Sequence, residues 1–257
     1  MTGVISASKR GTWAALIGAA ALGLNVGSAE AIGLKDSLFR RLPGANRTAP
    51  GPRVAHYLSE DGDSFVLDRT QPQPLMKFDD NPEVWVLSPQ PAPRGDVIYK
   101  NDMGAPMLRA TRLGGVTLFS DSQPNGEAVS LVGEGAPLRL PLITLQALGE
   151  RLLHASLRTG RLPGRGGRGV VFQAEASPAS TALMGDAATL VTLALLRLAE
   201  RPDGRAQLGQ VAKVQLVEGK RPAATLRGGV LMVTVAPSQG LAGRPSSERI
   251  MKAVAGR

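Results

Sequence analysis

The chain has no cysteine, which excludes disulfides, thiolate metal sites and cysteine nucleophiles together. Its two histidines, His56 and His154, are too few for a histidine-rich zinc site, and no His-x-x-x-His spacing places two ligands on one helix face. No Gly-x-Ser-x-Gly is present, and the one Ser-x-x-Lys, Ser6 to Lys9, lies at the extreme N-terminus, so serine hydrolysis lacks both its usual motif and a base near it. Aromatic residues are sparse, with two Trp, two Tyr and five Phe. None falls in the basic stretch between Arg151 and Arg168, so that stretch lacks the stacking side chains nucleic-acid binding would need. Long apolar runs are missing too: Trp13 to Leu24 is interrupted by glycine and falls short of the roughly 20 residues that span a bilayer.

That short run has a different meaning. Lys9 and Arg10 precede it, and Ala29-Glu30-Ala31 follows it as a small-x-small cleavage pattern, so residues 1–31 read as an export signal with the mature chain starting at Ile32. The expected product is soluble and periplasmic or secreted, not membrane-spanning once the signal is removed. Residues 32–53, with a short Leu34, Leu38, Leu42 helical stripe and then "PGANRTAPGPR", read as a linker.

The formal charge is +9, and its distribution is informative. Nine acids face four bases from Val54 to Gly104, whereas Arg205 to Arg257 carries nine bases and two acids, a split suited to pairing within the fold. Arg151, Arg158, Arg161, Arg165 and Arg168 have no such match, since no acid occurs between Arg151 and Glu175. They are the candidate anion-binding residues.

From residue 54 to 132 the pattern is short β-type runs broken by turn residues. Leu75 to Phe78 and Val84 to Leu87 flank Asp79-Asp80-Asn81-Pro82 as a hairpin. Val97 to Lys100, Met107 to Thr111 and Val116 to Phe119, separated by Asn101–Gly104 and Gly114-Gly115, form a three-strand meander. "SPQPAPRGD" reads as a surface connection, because proline has no N–H to offer a sheet. Residues 137–257 alternate helix and strand: an amphipathic helix from Leu142 to Arg158 with Leu142, Leu145, Leu148, Leu152 and Ser156 on one side; strands near 170–175, 211–217, 223–226 and 230–236; a buried helix from Ala187 to Glu200 capped by Asp186; and a last helix, Ser247 to Val254. "ATRLGGVTLF" at Ala110 and "ATLRGGVLMV" at Ala224 echo each other, which repeated use of Gly-Gly hairpins explains without duplication.

Asp79, Asp80 and Glu83 are the one tight carboxylate cluster, and paired carboxylates can share acid and base roles in glycoside cleavage. They also sit where a turn wants Asp, Asn and Pro. "SEDGDSFVLD" fails as a calcium loop at Phe65. Gly164 to Gly169 spells a dinucleotide fingerprint in the wrong context, helix before and strand after. No cofactor or metal is expected.

The strings "SEDGDSFVLDRT", "FDDNPEVWVLSPQPAPRGDVIYKNDMGAPMLRATRLGGVTLF" and "GRPSSERI" resemble a family of exported proteobacterial proteins known as a domain of unknown function, family 4908. The resemblance implies a periplasmic or secreted protein and carries over no catalytic residues. The fold class expected is α+β, an antiparallel β-rich part over 54–132 and then helices on a small mixed or antiparallel sheet over 137–257, the two forming separate regions or one fold. The function expected is envelope-associated binding of an anionic partner, lipid headgroup or cell-wall polymer. The alternatives are a carboxylate-dependent hydrolase of envelope glycan and a scaffold for another envelope protein.

Overall fold

A computed structural model describes residues 51–120, 122–163 and 169–256. The expected leader, nearly all of the linker, and Arg165 and Arg168 lie outside them. The N-terminal part is nine strands: β1 Val54–Ser59, β2 Ser64–Asp68, β3 Leu75–Phe78, β4 Trp85–Val86, β5 Ser88–Pro91, β6 Val97–Lys100, β7 Pro106–Ala110, β8 Val116–Leu118 and β9 Glu127–Glu134. Successive strands pair antiparallel, and β9 returns to pair with β1. The exception is β4 and β5, which are the two edges of the sheet yet are separated in the chain by Leu87 alone. A single residue cannot bridge the width of a flat sheet, so the sheet curls until its edges meet at Leu87. The result is a barrel of eight strand positions, a size whose interior side chains can just fill.

Period-two alternation decides which side chains go inside. Tyr57, Phe65, Leu67, Met76, Trp85, Leu87, Tyr99, Leu108 and Leu118 are all buried in one apolar cluster. Tyr57 stacks on Phe65 at 5.4 Å between ring centroids, Phe65 meets Phe78 edge-on at 5.7 Å, and Phe78 meets Trp85 at 5.5 Å and 90°. Such edge and offset contacts suit the ring quadrupoles. "SPQPAPRGD" departs from expectation: Ser88 to Pro91 pairs antiparallel with Val97 to Lys100. Pro89 and Pro91 alternate, so both direct their missing donor to the same side, and β5 is an edge with one side free.

The C-terminal part has four helices, α1 Leu145–Gly160, α2 Thr181–Glu200, α3 Gly204–Gly209 and α4 Ser247–Val254, and strands β10 Val171–Ala174, β11 Lys213–Glu218, β12 Ala223–Arg227 and β13 Val230–Val235. The sheet order is β10-β11-β13-β12, with the first three parallel and β12 antiparallel to β13. The chain is therefore α+β, with a large antiparallel sheet followed by helices on a small mixed one. The two Gly-Gly echoes close ordinary hairpins in different sheets, β7–β8 and β12–β13.

Helix α2 is apolar on nearly every side because it is the centre of the second core, with Met184, Leu190, Val191, Leu195 and Leu198 all buried. By length and composition it could cross a membrane, but most of it is enclosed by the fold. It begins at Thr181 and not at Asp186 as expected. Thr181 Oγ1 and Ser180 Oγ both donate to the Ser177 carbonyl, and the Ser177 N–H donates to Glu218. Asp186 is thereby left inside the helix, where it pairs with Arg244. In α3, the turn after α2 is so tight that a Cβ on Gly204 would overlap the Leu198 carbonyl oxygen.

Helix α1 differs from its expected stripe. Thr144 caps it by accepting from the Ala147 N–H, so Leu142 precedes it. The buried side is Leu148, Ala155 and Thr159, facing α2 and β10, while Leu142 and Leu145 are exposed. Barrel and layer belong to one compact unit.

Candidate functional site

The three carboxylates of "FDDNPE" are sent to three different environments. Glu83 is fully buried. Its Oε1 accepts from the Ser247 N–H at 2.9 Å, and its Oε2 accepts from Ser247 Oγ at 2.5 Å and Arg197 Nη1 at 3.3 Å. Ser247 is the first residue of α4, whose N-cap, Ser246, accepts from the Arg249 N–H. A carboxylate at a helix N-terminus meets free N–H donors and the positive end of the helix dipole. Glu83 therefore fastens the barrel to the α/β layer. Arg244 Nη2 donates to the Val84 carbonyl at 2.7 Å, Arg249 binds Asp102, and Asn101 Nδ2 donates to Glu248 at 3.0 Å. The charge split recurs across the seam in the ion pair of Asp102 with Arg249, while Glu83 takes Arg197 from outside the basic segment.

Asp80 is exposed and lines an open cleft of about 1060 Å³ along this seam. The barrel wall contributes Phe78, Trp85 and Asn101, and the helical wall contributes Arg197, Glu248 and Lys252. Carboxylates, cations, amides and aromatic faces share one concavity, which can bind a ligand with both polar groups and an apolar face. Of the three candidates, only Asp80 reaches this space.

Asp79 is on the outside of the barrel. Ser64 Oγ donates to its Oδ2 at 2.7 Å, and His56 Nε2 lies 2.9 Å from the same oxygen. The Ser64 hydrogen bond, then that of His56, hold the Asp79 carboxyl below the usual carboxylate range. Ser, His and Asp do meet here, a grouping the sequence spacing did not show. Their order is wrong for a nucleophile, because the carboxylate stands between the serine and the histidine and is a weakened base. In "RGD", Asp96 is likewise committed, accepting from Arg109 Nε and Nη2 at 2.9 and 2.5 Å.

The described arginines of the basic block, Arg151, Arg158 and Arg161, are exposed on α1 or at its C-cap, and none makes an ion pair among the described residues. Arg151 runs beside α2, where a Cβ on Gly185 would come within 3.3 Å of its guanidinium. Arg158 and Arg161 stand at the C-terminal end, where cations complement the helix dipole. Thr159 Oγ1 donates to the Ser156 carbonyl at 2.9 Å and accepts from the Val170 N–H at 3.2 Å. Val170 is therefore held at the C-terminal end of α1, next to Arg158 and Arg161 in that helix end.

Residues 34–254 match a family described as a domain of unknown function, DUF4908. The chain belongs to the DUF4908 family. No curated protein and no solved structure matches it. In this DUF4908 chain the three strings singled out from sequence converge on the seam. The first brings Asp68, which accepts from Thr70 and from the Leu138 N–H at 2.8 Å and so ties down the segment between barrel and layer. The second brings Glu83, Val84, Asn101 and Asp102, and the third brings Arg244 through Arg249. Glu83, a catalytic candidate by sequence, is an anchor in the fold, and neither its partner Arg197 nor Arg244, which donates to the adjacent Val84, is a site candidate by sequence. The charge split does not point to either, since Arg197 lies ahead of the basic C-terminal segment and Arg244 pairs with Asp186, outside the acidic one.

Proposed function

We propose that this DUF4908 chain is a non-catalytic, envelope-associated binding protein that meets an anionic partner through the C-terminal end of α1. The observation that carries it is a set of exposed arginines, Arg151, Arg158 and Arg161, with no ion-pair partner among the described residues. Arg165 and Arg168, the other two arginines of the acid-free block in the sequence, lie outside the described residues. Lipid phosphate and cell-wall polymer phosphate or carboxylate share the chemistry that guanidinium groups recognise. The place of action, periplasm or exterior, rests on residues 1–31, and mass spectrometry of the chain from the envelope fraction should give an N-terminus at Ile32.

The test is retention on a soluble polyanion, dextran sulfate, across a salt gradient. The full chain should elute later than its Arg158→Gln/Arg161→Gln/Arg165→Gln/Arg168→Gln variant, and its affinity should fall steeply with salt. Equal elution would refute the reading. A second reading, hydrolysis of envelope glycan, is favoured by Asp80 lining the cleft. It requires that purified chain release sugar from isolated envelope glycan and that Asp80→Asn abolish release. Glu83 and Asp79 are occupied in structural contacts and are poorer candidates for that chemistry.

A further inference from the structure

Helix α1 carries a second apolar side that remains largely exposed among the described residues. Leu145, Leu153 and Leu157 are 58%, 60% and 55% exposed, and Leu142, just ahead of the helix, is 98% exposed. Residues 145, 149, 153 and 157 recur every fourth position, so they lie along one side of the helix over about 18 Å. Gly149 interrupts the leucines without blocking them, since nothing lies within 4 Å of a Cβ placed there. The same spacing next reaches Arg161, with Arg158 adjoining Leu157. Single exposed leucines are ordinary, but leucines in line over a whole helix form an apolar strip of the kind that marks an interaction surface. This strip ends in cations.

From this arrangement we infer that the anionic partner of α1 is a bilayer surface, on which Leu142, Leu145, Leu153 and Leu157 enter the acyl boundary while Arg158 and Arg161 reach lipid phosphates. The inference rests on the binding function proposed above and specifies its partner. A soluble polyanion would use the arginines and leave the leucines in water. A neutral protein groove would use the leucines and leave the arginines without a counter-charge. An anionic membrane interface satisfies both at once, because apolar burial and phosphate attraction occur within a few ångströms of depth.

The experiment is co-sedimentation of the full chain with vesicles of phosphatidylglycerol and phosphatidylethanolamine, against vesicles of phosphatidylcholine and against dextran sulfate in solution. Binding to the anionic vesicles should exceed binding to phosphatidylcholine at least tenfold. Leu153→Ser/Leu157→Ser should weaken vesicle binding about tenfold or more and leave dextran sulfate retention unchanged. Gly149→Glu, which places an acid in the middle of the strip where there is open space, should do the same without loss of thermal stability. Arg158→Gln/Arg161→Gln should weaken both. If the leucine and Gly149 variants sediment like the unmodified chain while arginine-dependent dextran sulfate retention persists, the bilayer is wrong and the anionic-partner reading stands. If neither vesicles nor dextran sulfate retain the chain, both fall. Light scattering that showed a dimer abolished by Gly149→Glu, with no vesicle binding, would assign the strip to a second copy and overturn the inference.

Discussion

Replacing Glu83 by alanine removes the acceptor for three donors at once: the Ser247 N–H, Ser247 Oγ and Arg197 Nη1. Breaking a buried pair by deleting one partner costs about 3–5 kcal/mol. The Arg197 side chain keeps some exposure, 29%, and can recover part of its solvation, which places the expected loss near the lower figure, about 3 kcal/mol. For a fold of this size that is a fall in Tm of roughly 6–12 °C. Urea unfolding followed by Trp85 fluorescence measures it, since Trp85 lies two residues away and is buried in the barrel. Glu83→Gln keeps an acceptor for the Ser247 N–H but no charge for Arg197 and should fall between. Asp80→Ala, three residues earlier and exposed, should change stability by no more than about 0.5 kcal/mol. The reasoning is refuted if Glu83→Ala lies within 1 kcal/mol of the unmodified protein, or if the Asp80 substitution costs as much.

The Asp79 carboxyl is held low by Ser64 and His56, so its contribution to stability is complete above the carboxylate value of the unfolded chain and is lost as pH falls through the lower folded value. Ser64→Ala should therefore shrink the difference in urea midpoint between pH 5 and pH 2, and raise the Asp79 midpoint followed by carbon NMR; an unmoved midpoint would contradict the assignment. Gly126 has φ +84°, and a Cβ there would lie 2.6 Å from Thr117 Cγ2 and 2.8 Å from Phe119 Cε1, so Gly126→Ala should cost about 1–3 kcal/mol in urea unfolding. The same change at Gly149, mid-helix with open space around it, should instead stabilise by about 0.5–1 kcal/mol. A matching sign at the two sites would show that backbone conformation and close contact are not what distinguishes them.

Elements whose determinants are local were legible. The meander of β6, β7 and β8 follows from alternation and turn residues, and Ser247 to Val254 is bounded by its own cap. Features decided by distant residues were not. Nothing near Ser88 announces that its prolines will face a free edge, because that depends on the distant pairing that leaves β5 at the edge of the curled sheet. Asp186 looks like a cap until Arg244, far along the chain, takes it. The stripe on α1 was misassigned for a related reason: leucines at both three- and four-residue spacings define two apolar sides, and only α2 and β10 decide which one is buried. For the site, the acidic cluster was visible, but its division among an anchor, a cleft wall and an outer hydrogen-bonded carboxylate required the fold.

The barrel and the α/β layer have separate apolar clusters, and the contacts described between them are largely polar. Apolar burial is non-directional and would tolerate many orientations of one part on the other. Hydrogen bonds from Ser247 to Glu83, from Arg244 to the Val84 carbonyl and from Asn101 to Glu248 tolerate few. Asn101 shows how economically the angle is set: its Oδ1 accepts from the Met103 and Ala105 N–H groups and shapes the turn, while its Nδ2 reaches α4. Because the cleft has one wall on each side of the seam, its width depends on these bonds. Glu83 therefore governs the shape of a cavity it does not line, and a ligand that bridged Asp80 to Lys252 would be stabilising the same contact that Glu83 makes from within.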